Sequence, residues 1–328
     1  MTPRGSETGA ALITVLILVG VMGAIAAVMF DRLRLATMVQ GNAAGLAQAR
    51  AFGLVGEALI TTRIDDLVAA SPGRTTLAGG WQGRDIVLPL PIGTARARVV
   101  DGGNCFNLNS LVAGTAPDAL VSRPIAIDQF AALMQAVEVP AAAARRIAAS
   151  AADWIDSDGN PNRDGAEDPV YARATVPYRT GNTMMAEASE LRAVNGVTPA
   201  LYARIRPWVC ALPVADMSPI NVNTLTASQA PLVAMLLPGV MRPDQARRVI
   251  ADRPAAGWPG VAEFWNTPTL VELGPAPADV MGQTQVTTEW FAMDLRVVVG
   301  DGTLQETALI DARRAPSRIA SRRWTEDE

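Results

Sequence analysis

Residues 10–30, AALITVLILVGVMGAIAAVMF, carry no charge, and the first acid after them is Asp31. At about 1.5 Å of rise per residue, a helix over this run spans about 30 Å, the thickness of a bilayer hydrocarbon core. The helical pattern then continues. Phe52, Val55 and Leu59 recur at three- and four-residue spacing, which predicts one helix from about Ala10 to about Val68. Gly41, Gly45, Gly53 and Gly56 lie inside it and weaken it by about 1 kcal/mol each relative to Ala, so this stretch needs a neighbour packed against it. Ser71 to Gly83 is rich in Gly, Thr and Pro and reads as turns, and two strand-like runs follow, Asp85–Leu90 and Ala95–Val100. Far along the chain Phe291, Met293, Leu295, Val297 and Val299 alternate, Gly300-Asp301-Gly302 turns, and Leu304 to Ile310 returns. Between these β regions lies a long section of Ala, Arg and Leu with helical spacing. The pattern predicts an α+β fold: an N-terminal transmembrane helix packed on a small antiparallel sheet, with a large α-helical domain inserted between its strands. The expected bounds are 10–70 for the helix, 71–104 and 280–315 for the β region, 105–279 for the insert and 316–328 for a tail.

The insert carries an internal echo. Phe106-Asn107-Leu108-Asn109-Ser110-Leu111 matches Ile220-Asn221-Val222-Asn223-Thr224-Leu225. Each copy precedes a helical run containing Ala144-Arg145-Arg146-Ile147 or Ala246-Arg247-Arg248-Val249. Two related modules are expected, about 105–213 and 214–279, with the Asn pairs serving as turn and helix-cap residues. In the second module Leu237-Pro238-Gly239-Val240 resembles the turn of a helix-hairpin-helix or SAM-like motif. DNA-binding hairpins of this kind offer backbone N–H groups to phosphate. Here the turn runs into Met241-Arg242-Pro243, which lacks the second glycine and places a residue without an N–H, so a structural role is expected.

Composition narrows the chemistry. There is no His, and all 28 basic residues are Arg, which removes His bases, Lys Schiff bases and Ser-Lys dyads. A net charge of −4 argues against a nucleic-acid partner. The local Arg-rich stretch Arg313 to Arg323 is followed by Glu326, Asp327 and Glu328 and reads as a solvated tail. Arg4 alone before the apolar run is compatible with a cytoplasmic N-terminus. The rival reading of the run is a cleaved signal peptide, with Ala24-Ile25-Ala26 as the cleavage site.

Cys105 and Cys210 are the 2 cysteines and bracket the first module. In an oxidising compartment a bond between them would close a loop worth about 4.7 kcal/mol on the chain-entropy scale; two buried thiols are the alternative. The densest acids lie in Asp153-Trp154-Ile155-Asp156-Ser157-Asp158-Gly159-Asn160-Pro161-Asn162-Arg163-Asp164-Gly165-Ala166-Glu167-Asp168. Counting Asp156 as the first position of a calcium loop puts Asp158, Asn160, Asn162, Asp164 and Glu167 at the liganding positions. Pro161 stands where an EF-hand needs Gly, so this is not a true EF-hand, and a solvated inter-helix turn is the plain alternative.

A short polar leader ending at Gly9, followed by an apolar helix with a long extension, resembles the start of a type IV pilin or pseudopilin. Most pilins carry Glu at the fifth mature position; this chain carries Thr14, the departure that K-type minor pseudopilins show. Cys105-Phe106-Asn107-Leu108-Asn109, Asp153-Trp154-Ile155-Asp156, Gly165-Ala166-Glu167-Asp168 with Tyr171, Ser189-Glu190-Leu191 and Cys210-Ala211-Leu212-Pro213 follow in that family's order. The chain thus resembles the minor pseudopilin K family of type II secretion systems along essentially its whole length. The resemblance implies a pilin-like helix and sheet, cleavage after Gly9 by a prepilin peptidase and methylation of the new N-terminal Ala10. It implies two structural calcium ions, with Asp156, Asp158, Glu167 and Asp168 as ligands, Asn160 and Asp164 as further donors, and Asn182 and Glu187 for the second ion. It also implies partners (I- and J-type minor pseudopilins and the major pseudopilin), an inner-membrane anchor, and a periplasmic body that caps the pseudopilus tip and performs no bond chemistry. Two other functions stay open at this point: a secreted calcium-binding hydrolase, and a membrane-tethered DNA-uptake protein using the hairpin.

Overall fold

The apolar run and its extension form one helix, α1 (Glu7–Ala70), in the computed structural model, which describes residues 7–114 and 119–326. Most of the expected leader therefore lies outside the described residues, as do residues 327–328. The 64 residues of α1 amount to about 96 Å of helix. Its richest window has a mean hydropathy of 2.7 and is wholly exposed, so by length and composition it qualifies as a single membrane span. Thr14 donates its hydroxyl back to the Ala10 carbonyl at 2.8 Å, which satisfies a polar group inside that span.

From Gly45 onward α1 lies on a sheet. After β1 (Asp85–Leu88) and β2 (Thr94–Asp101) the chain leaves the sheet for the insert. The insert holds, in order, β3 (Phe106–Asn107), β4 (Val112–Ala113), β5 (Val121–Ser122), α2 (Pro124–Ala136), α3 (Ala141–Ile155), α4 (Asp168–Tyr171), α5 (Pro199–Ile205) and β6 (Val209–Cys210). There follow β7 (Ile220–Asn221), α6 (Ala230–Ala234), α7 (Pro243–Ala251), α8 (Val261–Trp265), α9 (Pro268–Glu272), α10 (Ala278–Gln283) and β8 (Thr284–Gln285). The chain returns as β9 (Trp290–Val299), β10 (Gly302–Asp311) and β11 (Arg318–Glu326). Strand order is β1-β2-β9-β10-β11, and every pairing is antiparallel. Because β2 pairs directly with β9, from Thr94↔Val298 to Asp101↔Phe291, the insert leaves and re-enters at one point.

The alternating residues of β9 supply the core that α1 covers: Phe291, Met293, Leu295, Val297 and Val299 are buried with Ile60, Ile64, Leu88 and Leu304. The helix glycines mark where the sheet comes closest. A Cβ at Gly53 would lie 2.8 Å from Leu304, and a Cβ at Gly302 would lie 2.6 Å from the Gly45 backbone, so side chains there would push helix and sheet apart. Gly41 faces open space, so its cost to the helix has no packing return.

Within the expected tail 316–328, the described residues 316–326 do not form the free segment the sequence suggested. Arg318–Glu326 is the edge strand β11, in register with β10 from Asp311↔Arg318 to Leu304↔Glu326. Ile319 packs on the core beneath α1, but the inward positions after it are Arg322 and Trp324, polar and amphipathic, which hid the strand. Arg322 pairs with buried Glu57 of α1 and lies 3.8 Å from Glu306, while Trp324 Nε1 donates to Glu306 at 2.9 Å. Burial, followed by the neighbouring Glu57, pushes the Glu306 carboxyl up to about 8, whereas its bond to Glu57 raises Arg322. An inward charge on an edge strand also discourages pairing with other chains.

The insert has its own core, with Phe106 stacked on Phe130 at 4.7 Å between centroids and Leu133, Ile147 and Leu191 fully buried. The polar joint to the sheet centres on Asp101 at the end of β2. Its carboxylate accepts from Gly103 N, Asn104 N, Thr224 Oγ1 at 2.6 Å and Thr288 Oγ1 at 2.5 Å. Burial outweighs those donors and pushes it up to about 6.

Candidate metal centre

Helix α3 positions the acid loop. Its buried face fixes Ile147, Ala151 and Ile155 in the core, so the last turn delivers Asp153 inward and Asp156 at the C-cap. Asp156 has extended backbone, and the chain turns through Asp158 before returning at Glu167, the N-cap of α4. One oxygen each from Asp156, Asp158 and Glu167 lies within 4.8 Å of the others, the one such three-carboxylate group among the described residues. Asp156 and Glu167 are 2% and 4% exposed, and Asp156 Oδ1 and Glu167 Oε1 are buried without a hydrogen-bond partner. Burial, with repulsion from neighbouring carboxylates including Asp153 and Asp158, pushes Asp156 up to about 6 and Glu167 up to about 7. Converging hard oxygens, two of them unpartnered in a buried site, suit a divalent cation such as calcium. These are positions 1, 3 and 12 of the loop count.

The remaining expected ligands lie outside this three-carboxylate group, and two of them, Asp168 and Glu187, have side-chain partners of their own. Asp168 accepts from Thr180 N and Oγ1 at 2.9 and 3.0 Å, bonds that hold its carboxyl below the usual range and staple the following loop. Asn160 places its backbone N–H on Asp158 Oδ1 at 2.7 Å, a local turn contact. Asp164 is exposed and adopts φ 68, and Asn182 adopts φ 46 with its N–H on the Trp154 carbonyl. Glu187 joins a reciprocal cap with Glu190 and pairs with Arg323 of β11, which lowers its carboxyl. The structure thus gathers three of the expected donors, while Asp168 bonds Thr180 and Glu187 pairs with Arg323, partners brought up by the tertiary fold. Asp153 went unnoticed as a site residue; fully buried, it accepts from Asn162 N, Asn162 Nδ2 and Ala166 N. Its position on the inner face of α3, one turn before Asp156, was the available signal. Trp154, Tyr171 and Tyr178 pack beside the loop, with Trp154 edge-on to Tyr171 at 5.4 Å.

The other sequence features find structural places. Cys105 and Cys210 form a disulfide with Cα atoms 5.8 Å apart, beside the parallel pairing of β3 with β6. The Asn pairs do more than cap. Asn109 accepts from Met185 N and donates to the Met185 and Leu212 carbonyls, and Asn223 accepts from Trp258 N and donates to the Trp258 carbonyl. In the hairpin, the Val240 and Met241 N–H groups both bond the Leu237 carbonyl, so these donors are already used.

Comparison with known proteins gives a consistent answer. Two protein-family models described as type II secretion system (T2SS), protein K match residues 104–214 and 220–286. Type II secretion system protein K of Pectobacterium carotovorum subsp. carotovorum is 34% identical over 98% of this chain and 97% of its own length. The protein of the same name from Aeromonas hydrophila is 34% identical, covering 90% of each chain. Among solved structures, the GspK-GspI-GspJ complex of the enterotoxigenic Escherichia coli type 2 secretion system contains a chain that matches with a TM-score of 0.72. That match has 30% identity and covers 85% of this chain and 96% of the other.

Proposed function

The chain belongs to the type II secretion system protein K family, whose members are structural pseudopilins rather than enzymes, and from that premise we propose that it caps the pseudopilus tip. The supporting observation is the direction of the insert. Gly45 of α1 meets Val299 and Gly302 at the β9–β10 turn, and Asp65, twenty residues further from the apolar span, bonds Ser317. The insert joins at Asp101 and Trp290, the opposite end of the strands from that turn, and so sits on the membrane-distal end of the body. A further subunit stacked there would meet its bulk. The exposed apolar face of α1, including Leu12, Leu16, Val19, Leu35 and Val39, supplies the surface for packing beside other subunits' helices. I- and J-type minor pseudopilins are the proposed partners, with the major pseudopilin below them and the bulk of the chain in the periplasm. Co-expression with those two proteins is expected to yield a ternary complex, and the intact mass of this chain is expected to show cleavage after Gly9. Cleavage after Ala26, or failure to co-purify, would overturn this reading.

Calcium at Asp156, Asp158 and Glu167 is part of the proposal, one ion at this cluster rather than the two expected. When bound it would supply positive charge that offsets three crowded carboxylates. Chelation is then expected to lower the melting temperature of the purified protein, and unchanged melting would reject the metal.

A further inference from the structure

Two chain limbs meet at the acid cluster, one leaving α3 with Asp156 and Asp158 and one entering α4 with Glu167. What holds them in register is a carboxylate outside the cluster. Asp153 Oδ1 accepts from Asn162 N at 2.9 Å and Asn162 Nδ2 at 2.5 Å, and Oδ2 accepts from Ala166 N at 2.6 Å. Both oxygens are therefore spent on the loop, one at its middle and one at the residue before Glu167. Asn162 Nδ2 also donates to Ser122 Oγ at 2.7 Å, and Ser122 Oγ donates to Asp156 Oδ2 at 2.6 Å. The relay fixes Asp156 with its other oxygen, Oδ1, unpartnered. Gly165 completes the arrangement: its backbone is not left-handed, yet a Cβ there would overlap Asp153 Oδ2. Glycine is needed for space, not for conformational freedom.

We propose that Asp153 is the positioning residue of this centre and that Gly165 is the seat its carboxylate requires, the two together setting how closely Asp156 and Asp158 approach Glu167. This rests on the calcium reading and adds residues that do not touch the ion. Partners behind a metal's ligands typically govern 10–100-fold in affinity.

The test is calorimetric titration of the full-length chain in detergent with calcium chloride, comparing the native protein with Gly165→Ala and Asp153→Asn. Gly165→Ala keeps every charge and displaces the carboxylate. Asp153→Asn keeps the volume but turns an amide donor toward either Ala166 N–H or the Asn162 donors. Both are expected to bind calcium about 10–100-fold more weakly while near-ultraviolet circular dichroism stays native. Should Gly165→Ala lose its native spectrum, Asp153→Asn decides. Native-like affinity in a folded variant overturns the positioning role. Absence of calcium binding by the native chain overturns the calcium reading itself, and the inference falls with it.

Discussion

The two modules of the insert open on the same Asn-X-Asn strand and close on a short parallel partner, β3 with β6 and β7 with β8, yet they are secured differently. The second module is welded to the sheet through buried polar groups. Thr224 and Thr288 donate to Asp101, and Asn221 Nδ2 donates to the Thr75 carbonyl and Thr288. The first module meets the sheet through the exposed Glu187–Arg323 pair and is closed on itself by the Cys105–Cys210 disulfide. A module anchored to a rigid sheet has its ends fixed by that anchor, while one without such an anchor must fix its own ends. The covalent tie and the acid loop both fall in the module that lacks the weld.

The largest expected effect breaks that contrast at the covalent tie. Replacing Cys105 and Cys210 by Ser should cost about 2–5 kcal/mol, because the closed loop is long. Hydrogen exchange resolved by segment is the measurement: protection should fall in 105–213 and stay near native in β9 and β10. Equal loss in both modules would show that they unfold as one unit and that the contrast has no energetic meaning.

Next comes the weld. Asp101 has an ordinary value of 3.8 and is pushed up to about 6 in the fold. Between those values the folded state holds more protons than the unfolded one, so this carboxyl's contribution is full below about pH 4 and is lost as pH rises through about 6. About two pKa units correspond to about 3 kcal/mol. Asp101→Asn is expected to flatten the pH dependence of stability across that window, measured by denaturant titration at several pH values. A slope identical to the native one would exclude Asp101 as its source, leaving Glu306 and the acid loop.

How much of this was readable beforehand follows from where each signal lies. Helix α1 was legible from its uninterrupted apolar run and the helix-spaced residues after it, and the β9–β10 hairpin from strict alternation on either side of a Gly-Asp-Gly turn. Strand β11 was not, since Arg322 and Trp324 occupy its inward positions after Ile319 and find their meaning only beside Glu57 and Glu306. In the acid loop, spacing identified Asp156, Asp158 and Glu167 correctly as neighbours. It could not show that Thr180 claims Asp168 or that Arg323 claims Glu187, because both partners are brought up by the tertiary fold.

A smaller effect sharpens the likeness between the modules. Asn109→Ala and Asn223→Ala each leave a backbone N–H and C=O unpaired inside the protein, at Met185 and at Trp258, and each should cost about 1–3 kcal/mol. Asn109 also serves the Leu212 carbonyl, so its loss should be the larger of the two. Thermal denaturation of the two variants makes the comparison, and a neutral Asn223→Ala would mean that the repeated motif is clamped in one module only.

The smallest effect concerns the first module's contact with the sheet. The side chains of Arg323 and Glu187 are 54% and 46% exposed, and exposed pairs contribute about 0.2–1 kcal/mol. Glu187→Gln keeps the side chain's shape while removing its charge, so a loss below about 1 kcal/mol is expected, and it should shrink further in high salt. The same variant speaks to the metal. If Glu187 acts through Arg323 alone, calcium titration of Glu187→Gln should match the native protein. A weakened affinity would return Glu187 to the ligand set and require the first module to lean on β11 only when the ion is absent, making its attachment to the sheet conditional where the second module's is permanent.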